Sequence, residues 1–94
     1  MTSFEIEDEL HAEPQGDFLT FDDAFAEIRR RATVRWDEEP NRAPCMSWQT
    51  CGREYVIVEY DTGSTPWKEI RRRRVMTISA AGTTWEKGYE GAPS

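Results

Sequence analysis

EIRRRRVMTIS, residues 69–79, sets four consecutive arginines against an apolar run in a chain whose formal net charge is −6. Read as a helix, residues 67–75 offer a core only Trp67, Ile70 and Val75, with arginines covering the rest of the surface. Read as a strand, the stretch alternates. Ile70, Met76 and Ile78 share a parity with Arg72 and Arg74, while Val75, Thr77 and Ser79 share one with Arg71 and Arg73. VMTIS has strand composition, and AAGTTW (80–85) reads as a tight turn into a last short strand carrying Trp85. The strand is the better reading, and it splits the arginines two to each face.

Working outward, EYVIVEYD (54–61) is rich in β-branched and aromatic residues and ends at the loop TGSTP. Val56, Val58 and Tyr60 point one way and Tyr55, Ile57 and Glu59 the other. Both faces are partly apolar, which suits an inner strand. Upstream, LTFDDAFAEIRRRATVRW (19–36) has helical periodicity. Phe21, Ala24, Phe25, Ile28 and Ala32 form one apolar stripe, and Thr20 is placed to cap it. Asp22 and Asp23 precede Arg29, Arg30 and Arg31, an order that complements the helix dipole. DEEPNRAP (37–44) has loop composition.

Residues 1–40 hold twelve acids and four arginines, net −8; residues 41–94 hold six acids and eight bases, net +2. Residues 1–17, with Pro14 and Gly16 as breakers, read as a flexible acidic arm, although SFEIEDEL (3–10) alternates like an edge strand. The expected architecture is α+β. One N-terminal helix packs on a three- to four-stranded antiparallel meander within a single domain, residues 18–87, followed by a disordered tail at 88–94.

Several classes of chemistry find no support. His11 is the single histidine and lies in the arm, so a thiol or hydroxyl nucleophile has no obvious base. Cys45 and Cys51 are separated by five residues, too many for a zinc knuckle, and no second ligand pair follows. They read as structural thiols, with a small thiol enzyme using Cys45 or Cys51 as a remote alternative. DTGSTPWK lacks the spacing of a phosphate loop. No catalytic residue, cofactor or metal site is expected. With no apolar run of about 18 residues and no signal-peptide pattern, the chain reads as cytoplasmic.

Binding remains. Nucleic-acid recognition through residues 71–74 conflicts with a sequence pI near 4.8 and with the split of the run across two faces. The preferred reading pairs Arg71 and Arg73 with acids such as Glu59 on an outer face and lays Arg72 and Arg74 over aromatic rings. Trp48, Tyr55, Ile57 and Trp85 are expected on the sheet face away from the helix, framed by Arg71 and Arg73, as a surface for a protein partner or a second copy. By charge alone, the acidic arm favours a basic partner, as inhibitors of basic toxins do.

Overall fold

Alternation in the acidic N-terminal segment and along the arginine run produces the two strands that give the sheet its shape. The computed structural model describes residues 1–42 and 52–89. In chain order the elements are β1 (Thr2–Asp8), β2 (Glu13–Phe18), α1 (Phe21–Arg31), β3 (Gly52–Asp61), β4 (Lys68–Ser79) and β5 (Gly82–Trp85). The strands form one sheet in the order β2-β1-β3-β4-β5, antiparallel throughout. The molecule is thus α+β, with an N-terminal helix on an antiparallel sheet, and residues 67–75 are not helical.

The segment expected to be a flexible arm is instead the β1–β2 hairpin. That hairpin raises the strand number to five and puts β1 inside the sheet, not at its edge. The reason lies in pairing. Phe4, Ile6 and Asp8 face the helix, while Glu5 and Glu7 face the other way, level with Val58 and Val56 of β3. An acidic strand folds here because Glu7 meets the guanidinium group of Arg72, 65 residues further along the chain.

Helix α1 follows its periodicity. The Thr20 hydroxyl accepts a hydrogen bond from the Asp23 amide at 3.0 Å, satisfying a donor left open by the first turn. Ala24 and Ile28 are fully buried, and Phe21, Phe25 and Ala32 pack partly buried beside them. Glu27 receives the guanidinium groups of Arg30 and Arg31, both at 2.7 Å, and is held at about 2 by the Arg30 hydrogen bond and then by Arg31. Past the helix, the buried Asn41 amide donates to the carbonyls of Arg31 and Val34 at 2.8 and 2.9 Å. It thereby closes the exposed C-terminal carbonyls.

The core lies between α1 and the sheet: Ile6, Ala24, Ile28, Tyr55, Ile57, Val75, Met76 and Ile78. Below it runs a buried polar seam. Asp8 is fully enclosed and accepts from Arg53 at 2.9 Å and from the Glu54 amide at 3.0 Å, with His11 also bonded to it. Arg53 also donates to the carbonyls of Pro40 and Arg42, and the Tyr55 hydroxyl donates to Asn41 at 2.9 Å. Gly52 is required where β3 meets β4, since a Cβ there would lie 2.0 Å from the Ile78 carbonyl.

Candidate interaction surface

Two irregularities in the β3–β4 ladder decide where the arginines point. Tyr55 pairs with Met76 but Val56 with Arg74, so Val75 is an extra residue. Glu59 pairs with Arg71 but Tyr60 with Glu69, so Ile70 is another. Each bulge shifts the alternation by one position. The parity count through residues 70–80 is therefore overturned: Met76 and Ile78 share the helix-side face with Arg71 and Arg73, while Arg72 and Arg74 occupy the opposite face.

On that opposite face the guanidinium groups have partners within the molecule, not the aromatic rings expected for them. Arg72 reaches Glu7 at 3.2 Å, Glu9 at 3.1 Å and Glu69 at 2.9 Å. Arg74 reaches Glu54 at 3.3 Å, Glu9 at 3.5 Å and Glu86 at 3.8 Å. The Glu69 hydrogen bond, with the charges of Glu69 and Glu7 and a hydrogen bond to Glu9, raises the Arg72 pKa above its ordinary value. Glu7 is pushed up by burial, yet hydrogen bonds with Glu5, Tyr60 and Arg72 bring it below the usual carboxylate range. Burial, together with hydrogen bonds shared with Glu7 and Asp17, lifts Glu5 to about 8.

The helix-side pair is different. Arg71 comes no closer than 4.0 Å to Glu59, and Arg73 lies over the Phe21 ring at 5.4 Å. Among the described residues no carboxylate pairs with Arg73. Both side chains border a groove of about 220 Å³, open to solvent, lined by Phe4, Phe21, Ile57 and Glu59 besides the two arginines. Phe4 and Phe21 meet edge-on at 6.3 Å, so its aromatic wall comes from β1 and α1. An apolar floor beneath two guanidinium groups favours a ligand that carries negative charge beside hydrophobic surface.

The groove adjoins an open sheet edge. β5 pairs only with residues Met76 to Ser79, and the Glu86 amide adds a bond to the Val75 carbonyl. Among the described residues no strand pairs with the outer side of residues 68–74, all seven of which are exposed. Trp67 and Ile70 are each about half exposed there.

The expected aromatic surface is not assembled. Trp48, like Cys45 and Cys51, lies outside the described residues. Tyr55 and Ile57 are buried, on the helix side instead of away from it. Trp85 packs against Phe25 at 6.1 Å on that same side. Of the named site residues, Arg71 and Arg73 are exposed and come together. Phe4 and Phe21 complete the groove and were missed as site residues. Their signals were the alternation of residues 3–10 and the apolar stripe of α1, each of which pointed only to packing. Tyr89, placed in the expected tail, packs against Phe25 at 5.7 Å; residues 90–94 lie outside the described residues.

Among the described residues no group of His, Cys, Asp and Glu is disposed to hold a metal ion, and no helix is long and apolar enough to cross a membrane. No protein-family model matches the chain, and no curated protein or solved structure matches it significantly.

Proposed function

We propose that this protein is a non-enzymatic protein-interaction module whose contact surface is the outer edge of β4 with the adjoining groove. The observation that carries the reading is the pairing contrast. Arg72 and Arg74 are paired with five carboxylates, whereas Arg71 and Arg73 frame an apolar groove with one carboxylate at 4.0 Å between them. Arginine and aromatic groups around a partly desolvated pocket are the usual anchors of protein interfaces. The partner's charge follows from the same contrast. Of the N-terminal acids, Glu7 and Glu9 are engaged with Arg72 and Arg74, and Asp8 and Glu13 with Arg53, so they do not form a free arm for a basic partner; at the groove the less fully paired charge is positive. The pairing also supports a protein over a nucleic acid, because two guanidinium groups make a small phosphate footprint.

The test compares wild type with the double variant Arg71→Glu/Arg73→Glu and with Arg29→Glu as a distant control. Each carries a photo-crosslinking residue at Ile70 and is expressed in its native cell. One polypeptide crosslinked by wild type and by the control, and reduced at least tenfold in the double variant, is the expected result. Equal crosslinking by all three overturns the reading. So does tight oligonucleotide binding that weakens steeply with salt.

A further inference from the structure

We infer that the partner segment is an extended acidic peptide that adds to the sheet as a sixth strand along residues 68–74; this rests on the interaction surface proposed above. A strand paired on one side leaves alternate amides and carbonyls on its other side ready for a second ladder. Here that side runs for seven residues, longer than the four-residue β5 that ends beside it.

Charge selects the occupant. Antiparallel pairing of this edge with a second copy sets an arginine-rich strand against itself, and like charges facing across a ladder are destabilising. A basic or neutral strand gains nothing from Arg71 and Arg73. An incoming strand with carboxylates at positions i and i+2 presents both on one face, opposite Arg71 and Arg73, which share the helix-side face of β4. The intervening residue points to the other face, where Arg72 and Arg74 already hold carboxylates, so it carries no required charge. The net charge of −6 does not forbid this. At physiological salt, charges beyond about 8 Å are largely screened, and the arginines at the edge dominate locally.

Charged side chains also guard sheet edges against unwanted pairing. This edge is predominantly of one sign, its one acid Glu69 being bonded to Arg72 at 2.9 Å, so it guards selectively, repelling its own kind and admitting the opposite. That selectivity is what the experiment reads.

The probes are capped eight-residue peptides of alternating glutamate and valine, the same peptide with lysine for glutamate, and the glutamate peptide with a central proline. The readouts are amide chemical shifts and amide hydrogen exchange of the full chain. Saturable binding of the glutamate–valine peptide is expected, with exchange at the outward amides of residues 68–74 slowed at least tenfold. The lysine and proline peptides, and the Arg71→Glu/Arg73→Glu variant with the glutamate peptide, are expected to bind at least tenfold more weakly; Arg71→Lys/Arg73→Lys recovers part of the loss. Binding that leaves those amides unprotected, or that tolerates the proline, overturns strand addition while leaving the interaction surface standing. No binding of the glutamate peptide also overturns strand addition, and the crosslinking experiment then decides the surface separately. Dimerisation through residues 68–74 in the peptide's absence overturns the choice of an acidic occupant.

Discussion

The two faces of the sheet solve the same problem with different materials. On one face α1 lays Ala24, Phe25 and Ile28 over Tyr55, Ile57 and Met76, as a two-layer domain ordinarily does. On the other face there is no described helix, yet Val56 and Val58 are fully buried. Their same-face neighbours across the ladder are Glu7 and Arg74, and Glu5 and Arg72. Long charged side chains lay their methylenes along apolar surface and keep their heads in water. The comparison teaches that an ionic lattice can act as a second layer, provided acids and bases alternate in register from strands on both sides. On the helix side Arg71 and Arg73 stand outside that lattice, one at 4.0 Å from Glu59 and the other over the Phe21 ring.

The largest expected effect sharpens the contrast between buried and exposed ion pairs. Asp8 and Arg53 are enclosed on the helix side, whereas Arg72 and Arg74 are a third to a half exposed. Asp8→Ala leaves the Arg53 guanidinium with only the half-exposed Glu13 as anionic partner, at 3.1 Å. Breaking a buried pair from one end costs about 3–5 kcal/mol, a large part of the stability of a small domain. Urea unfolding of the variant should show that loss. A cost below about 1 kcal/mol would mean that burial makes no difference between the two regions.

The lattice itself is tested by separating its charge from its bulk. Arg72→Ala removes both, and a loss of about 1–2 kcal/mol is expected, from exposed ion pairs worth about 0.2–1 kcal/mol each together with uncovered apolar surface beside Val58. Arg72→Met keeps the stem, and about half the loss should return. In 1 M sodium chloride the charge contribution is screened, so wild type should approach Arg72→Met while Arg72→Ala stays below both. Equal stability of the Ala and Met variants would show that the arginine stem does not act as cover.

The sequence revealed these features unevenly, for physical reasons. Helix α1 was legible because its cap, apolar period and charge order all agree within eighteen residues. β3 was legible because its β-branched run is local. β4 was legible as a strand but not in its faces. The extra residues Val75 and Ile70 are defined only by their mismatch with β3, and nothing in VMTIS announces a bulge. β1 was hidden for the opposite reason. Its acids look like a solvated arm until Arg72 and Arg74 are brought beside them, and that pairing spans most of the chain. The candidate site suffered from both problems. Arg71 and Arg73 were found, near Glu59, but they were assigned to the wrong face, and Tyr55 and Ile57 were moved out of the core with them.

The smallest expected effect is also the most specific to the bare face. Glu5 has its pKa raised from an ordinary 4.5 to about 8, first by burial and then by hydrogen bonds shared with Glu7 and Asp17. The folded chain therefore binds this proton more tightly than the unfolded chain. The stabilisation it brings is complete below about pH 4.5 and is lost as pH rises through 8. Glu27, within α1, behaves in the opposite way. Its pKa is lowered to about 2 by Arg30 and Arg31, so its contribution holds above pH 4.5 and is lost as pH falls towards 2. The two faces thus limit stability from opposite ends of the pH scale. Glu5→Gln makes the bare-face group permanently neutral. It should match wild type in melting temperature near pH 4 and exceed it by a few degrees at pH 9, with the gap opening from about pH 4.5 and levelling off near pH 8. Parallel melting curves across that range would mean that Glu5 keeps no extra hold on its proton in the folded chain, and that the ionic layer closes without one.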